Sequence, residues 1–162
     1  MKKKNIAVLL PGSYAPPTKG HLSLIERAAR DYERVHTVAF VNPQKKYTFT
    51  SEERVEMLRL MTAHLPNVTV GFSEGFVIDY AKKNGISLLI KGYRNETDLA
   101  YEKTQADWNL ANGGIETLLL PALDGAAHIS STAARAALGT ENLSELLCES
   151  VYDFISKKRE KT

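Results

Sequence analysis

Short apolar runs alternate with helical patterns from one end of the chain to the other, and no other feature narrows the fold as much. The runs are Ile6–Leu10, Val35–Val41, Val68–Phe72, Ser87–Ile90 and Glu116–Pro121. They are nearly continuous in apolar character rather than alternating, as strands buried on both faces of a parallel sheet require. Between them, Leu22–Ala29 has helical spacing. Thr50-Ser51-Glu52-Glu53 reads as a cap for a helix that turns Val55, Met57, Leu58, Leu60 and Met61 towards a core. Phe76–Ala81 reads as a short helix ended by Asn84-Gly85, and a longer one spans roughly Asn95 to Ala111 before Asn112-Gly113-Gly114. Two more close the chain, Ser131–Leu138 and Leu143 to about Lys158. The expected fold is α/β: a Rossmann-like, doubly wound sheet of about five parallel strands with helices on both faces. Such sheets bind ligands beyond the carboxyl ends of their strands.

Composition excludes several classes. Hydrophobic residues make up 43% and charged residues 25%, ordinary for a globular protein. The net charge of +2 is too small to imply a nucleic-acid partner, and Lys2–Lys4 and Lys157–Arg159 read as solvated tails. Cys148 is the one cysteine, so no disulfide forms within the chain; in its apolar helical pattern it reads as a small buried hydrophobe. The apolar run after Met1-Lys2-Lys3-Lys4 is too short for a signal peptide or a membrane span. No membrane partner and a cytoplasmic location are therefore expected.

The chemistry concentrates after the first strand, in Pro11-Gly12-Ser13-Tyr14-Ala15-Pro16-Pro17-Thr18-Lys19-Gly20-His21. Gly12 and Gly20 let a bulky anion approach the backbone, and Ser13 and Thr18 supply hydroxyls. His21 falls in the first turn of a helix, where free N–H groups and the positive dipole end favour phosphate. There a cationic or neutral imidazole can donate to a phosphoryl oxygen. The other strand ends carry Asn42-Pro43-Gln44-Lys45-Lys46, Lys91-Gly92-Tyr93-Arg94 and His128-Ile129-Ser130-Ser131-Thr132. None is dominated by acid, so a polyanion such as a nucleoside triphosphate is the natural occupant. Ser130, Ser131 and Thr132 open a helix with Arg135 one turn on, and three hydroxyls exceed what a cap needs. His36 and His64 read as surface or strand-edge residues, and His128 lies near the nucleotide end with no assigned role.

Thr18-Lys19-Gly20-His21 together with Ile129-Ser130-Ser131-Thr132-Ala133-Ala134-Arg135 resembles the nucleotidyltransferase superfamily of adenylyl- and cytidylyltransferases. Within it the chain resembles the bacterial phosphopantetheine adenylyltransferases across nearly its whole length. The supporting residues are Asn42–Lys46, Phe49–Arg54, Lys91–Arg94 and Asp98–Glu102. The resemblance implies one nucleotidyltransferase domain over 1–162, AMP transfer from ATP to 4′-phosphopantetheine, magnesium (Mg2+), and a homohexamer. It implies catalytic roles for His21, Lys45 and Arg94. It places Ser13, Lys45, Lys91 and Asn109 on the acceptor, with no metal ligand from the protein. Around ATP it places Gly12, Ser13, Tyr14, Thr18, His21, Lys91, Gly92, Arg94, Glu102 (on the ribose), Ser130, Ser131 and Thr132. Four places depart from the family pattern: Ala15 stands for an Asp, Lys91 for an Arg, Ala126 for a Trp, and Thr104-Gln105 for more apolar residues. Nicotinamide mononucleotide adenylyl transfer, cytidylyl transfer, and nucleotide binding without turnover remain alternatives. A flavodoxin-like carrier fits poorly with basic phosphate loops.

Overall fold

In the computed structural model, which describes residues 2–161, twelve elements follow one another. They are β1 (Lys4–Gly12), α1 (Lys19–Asp31), β2 (Tyr32–Phe40), α2 (Ser51–Met61), β3 (Val68–Ser73), α3 (Val77–Lys83), β4 (Leu88–Tyr93), α4 (Glu96–Gly113), β5 (Glu116–Pro121), α5 (Ser131–Ala136), α6 (Leu143–Leu146) and α7 (Glu149–Glu160). The strands form one sheet in the order β3-β2-β1-β4-β5, every pairing parallel. From β1 the chain winds outwards to β2 and β3; from β4 it winds the other way to β5. The winding direction therefore reverses between β1 and β4, which opens a crevice beyond their carboxyl ends.

Strand β1 explains its own apolar run. Val8 and Leu10 enter a large core with Ile25, Met57, Leu58, Val151 and Ile155. Ala7 and Leu9 point the opposite way, into a smaller core with Val38, Ile78, Ala81 and Leu89. Successive strand side chains face opposite sides, so a strand covered on both faces has no polar positions to alternate with. The Thr50–Glu53 capping box forms as the residues suggest, with Glu53 N–H donating to Thr50 Oγ1 and Thr50 N–H to Glu53 Oε1. None of the described helices is long and apolar enough to cross a membrane.

Several expectations change. The closing helix expected from Leu143 to about Lys158 is two helices, α6 and α7, separated by an extended Leu147. Leu143, Leu146 and Leu147 are all buried and have the i, i+3, i+4 spacing of one helix face, yet Leu147 and Cys148 are extended and break the chain into two helices. Cys148 consequently occupies the N-cap position of α7, partly exposed, rather than a buried place inside a helix. Lys157–Arg159 belong to the last turn of α7, and Lys158 pairs with Glu53 at 2.7 Å, so this group is no solvated tail. His36 lies in β2, an inner strand, with its Nδ1 2.9 Å from the Tyr80 hydroxyl. Lys91 and Gly92 stand in the last residues of β4, paired with Leu119 and Leu120, rather than in a loop.

Candidate active site

The turn after β1 is built around a buried aromatic ring. Tyr14 adopts the left-handed conformation, φ 49°, which costs a bulky residue on the order of 1–3 kcal/mol. Burial of its ring and a bond from its hydroxyl to Leu10 O at 2.8 Å hold it there. Burial also pushes the phenol far above its ordinary range, so it stays a donor. A Cβ at Gly12 would sit 3.2 Å from Cε2 and 3.3 Å from Cζ of this ring, so Gly12 makes room for it.

The ring meets His21 edge-on, with centroids 4.8 Å apart. Thr18 caps α1, its Oγ1 accepting from the His21 N–H. In return His21 Nδ1 accepts from the Thr18 N–H at 2.9 Å. A ring nitrogen that accepts a backbone N–H carries no proton, so the proton resides on Nε2. Burial first, then the charges of Lys91 and Arg94, lower the imidazole pKa to about 4. Of the two states open in the sequence, the structure selects the neutral one: His21 presents Nε2–H as a donor and keeps its charge unchanged near pH 7.

Around this donor lies a cleft of about 580 Å3. Gly12, Ser13, Tyr14 and Thr18 line it from β1 and its turn, and His21 from α1. Lys91, Gly92 and Arg94 come from the end of β4, Glu102 from α4, and Ser130, Ser131 and Thr132 from the start of α5. Ala126 lines it as well, and Ala15 is buried beneath the turn. A second cavity of about 280 Å3 shares Gly12, Ser13, Lys91 and Glu102 and extends to Gln105, Asn109 and Thr117. The Thr117 hydroxyl is buried there without a hydrogen-bond partner.

The cations at the junction are held by weak pairs. Lys91 Nζ lies 3.6 Å from Glu102 Oε1, and Arg94 Nε donates to Asp98 Oδ2 at 3.0 Å. Partly exposed pairs of this kind contribute about 1 kcal/mol or less, so a polyphosphate can replace the carboxylates. The α5 hydroxyls also bond within the chain. Ser130 Oγ accepts from Ala133 N–H, Ser131 Oγ donates to Pro16 O at 2.8 Å, and Thr132 Oγ1 accepts from Arg135. Each of these bonds uses one hydrogen-bonding position of its hydroxyl, and all three residues line the cleft at the start of α5. Lys45 lines neither cavity; its loop is exposed, and its Nζ lies 5.4 Å from the Tyr47 ring. The strand ends after β1, β4 and β5 meet at the cleft, and the one after β2 does not.

Sequence reasoning missed Arg27, Arg54 and Thr117. Arg27 lines the larger cleft, and its spacing from His21 and Leu24 along α1 puts all three on one helix face. Arg54 follows Glu52 and Glu53 in the first turn of α2, where nothing in the sequence signals a buried charge. Thr117 carried no signal.

A family profile described as cytidylyltransferase-like matches residues 9–137, from within β1 to just past α5. The chain belongs to the cytidylyltransferase-like nucleotidyltransferases. The chain is 42% identical over 131 residues to a phosphopantetheine adenylyltransferase of Symbiobacterium thermophilum, covering 80% of this chain and 81% of that protein. Among solved structures, this nucleotidyltransferase is similar to Plasmodium falciparum nicotinic acid mononucleotide adenylyltransferase complexed with NaAD. The TM-score there is 0.68 at 14% identity, over 96% of this chain and 97% of that one. It is also similar to a bifunctional NMN adenylyltransferase/ADP ribose pyrophosphatase from Francisella tularensis. That TM-score is 0.71 at 16% identity, over 97% of this chain and 50% of that one. At such identities these two structures speak for the fold alone.

Proposed function

We propose that this nucleotidyltransferase transfers AMP from ATP to 4′-phosphopantetheine, giving dephospho-coenzyme A and pyrophosphate. The observation that carries the reading is the pair of cavities joined at Gly12, Ser13, Lys91 and Glu102. The larger suits the nucleotide and the smaller suits an extended polar arm, where the Asn109 and Gln105 amides can meet amide groups. The 42% identical phosphopantetheine adenylyltransferase supports the same acceptor.

The acceptor phosphate is already an anion, so no base and no covalent intermediate are needed. One of its oxygens bonds to the α-phosphorus in line with the bond to the leaving pyrophosphate, which breaks. His21 Nε2–H donates to an α-phosphate oxygen as charge builds there. Lys91, on the wall common to both cavities, meets the acceptor phosphate, with Ser13 beside it, and Arg94 exchanges Asp98 for the β- and γ-phosphates. A role for Lys45 on the α-phosphate requires the 42–46 loop to move towards the cleft. Glu102 is freed by the Lys91 exchange and can accept from a ribose hydroxyl. Among the described residues no group of three His, Cys, Asp or Glu side chains gathers as a metal site. Magnesium would enter with the triphosphate, whose oxygens are the hard ligands it prefers, and would neutralise phosphate charge.

A homohexamer belongs to the same proposal. Helix α4 buries none of its residues within the chain and leaves Tyr101 and Trp108, seven residues apart and so on one face, more than half exposed. Neighbouring copies would cover that face, and light scattering should return six times the 18.0 kDa chain. The function is tested by pyrophosphate release from ATP or CTP against 4′-phosphopantetheine and nicotinamide mononucleotide. Release with ATP and 4′-phosphopantetheine is expected. Release with nicotinamide mononucleotide instead, or a preference for CTP, would overturn the assignment.

A further inference from the structure

Arg54 is the one charged side chain buried to the core level among the described residues, at 1% exposure, and no carboxylate lies within ion-pair distance of it. Its Nη1 donates to Ser13 O at 3.0 Å and its Nε to Thr50 O at 3.3 Å, while the guanidinium stacks 4.0 Å from the Tyr47 ring centroid. Taking a cation out of water without a counter-charge is costly, and carbonyl dipoles and a ring face offset only part of it. A residue kept at such a cost on the underside of the site calls for a reason beyond packing, which an apolar side chain would serve better.

The peptide geometry supplies one. The Ser13–Tyr14 peptide is trans, so its C=O and N–H point in opposite directions. Arg54 holds the carbonyl from the α2 side and does not line the cleft, whereas Ser13 and Tyr14 do. The Tyr14 N–H is thereby turned away from Arg54. The next carbonyls are restrained as well: Arg135 Nη1 donates to Ala15 O at 2.7 Å and Ser131 Oγ to Pro16 O. The carbonyls of Ser13, Ala15 and Pro16 are each drawn to a protein donor, which keeps their negative ends off an arriving anion.

We propose that Arg54 is a positioning residue for the donor phosphates. It orients the Ser13–Tyr14 peptide so that the Tyr14 N–H meets phosphate, and it sets an unpaired positive charge one peptide plane behind that N–H. The bound anion is the counter-charge that Arg54 lacks. This rests on the cleft being a polyphosphate site, but not on which acceptor is used.

Three measurements test it. In the wild type, MgATP should move the Tyr14 amide proton downfield and slow its exchange, followed by 1H–15N NMR. Arg54→Met should weaken inorganic pyrophosphate binding about tenfold or more, the loss expected of a charge-assisted hydrogen bond, and Arg54→Lys should restore only the part due to charge. Turnover should fall in Arg54→Lys with the KM for the acceptor unchanged, a split that a merely structural role would not produce. A Tyr14 amide unmoved while ATP binds, or a folded Arg54→Met with wild-type pyrophosphate affinity, would overturn this inference and leave the proposed reaction standing. If Arg54→Met fails to fold, the wild-type amide measurement still decides. A wild type that binds neither ATP nor pyrophosphate would overturn the polyphosphate reading and the inference together.

Discussion

Lowering the pH from 7 to 5 should destabilise the folded protein, with one ring, His21, contributing a loss that can be isolated. In the unfolded chain its imidazole titrates near 6.5; in the fold it titrates near 4, because burial and the Lys91 and Arg94 charges oppose protonation. Below 6.5 the unfolded chain takes up a proton that the folded one refuses, so stability falls as pH falls and the loss is complete near pH 4. At 1.36 kcal/mol per pKa unit the full loss is about 3 kcal/mol. Roughly 2 kcal/mol of it should already be gone at pH 5. Geometry gives the same direction: a proton on Nδ1 would set two donors against each other at the Thr18 N–H contact. Urea unfolding of the wild type and His21→Gln at both pH values isolates the effect. His36, also held below its ordinary range by burial, is common to both proteins and cancels. The wild type should lose about 2 kcal/mol more than the variant between pH 7 and pH 5. Equal losses, or an NMR titration of His21 near 6.5, would refute the neutral-donor assignment.

His21→Ala should lower turnover about a hundredfold to a thousandfold while leaving ATP affinity, measured by calorimetry, nearly intact. Near-native turnover in a folded variant would remove His21 from the chemistry. Lys91→Ala should raise the acceptor KM far more than the ATP KM, since Arg94 still serves the donor; an equal rise in both would place Lys91 in the general field of the site. Tyr14→Phe keeps the ring on His21 but loses the donor to Leu10 O, and should cost about 1–2 kcal/mol in urea unfolding. An unchanged midpoint would show that this bond contributes nothing to holding the left-handed turn.

Local periodicity carries further in this chain than its charges do. The apolar runs are read correctly as parallel strands because a strand covered on both faces has to be apolar at successive positions, a constraint that acts within a few residues. Thr18-Lys19-Gly20-His21 is read correctly as a strand-to-helix turn for the same reason: cap, glycine and helix start are neighbours in the chain. The split between α6 and α7 was not legible, because helical spacing continues through Leu147, and burying Leu146 and Leu147 together depends on the core they enter. The same limit applies at the site. Ser131 reads as a free hydroxyl until Pro16, 115 residues earlier, is brought beside it. Lys45 and Lys91 look alike as loop cations, yet one stands outside both cavities and the other on the wall between them. His21 was legible as a candidate phosphate donor, but its charge was not, since that is set by burial and by the cations Lys91 and Arg94 at the end of β4. Backbone pattern is a short-range property that the sequence determines by itself. Orientation and protonation depend on dielectric and on distant partners, and those exist only once the chain has closed on itself.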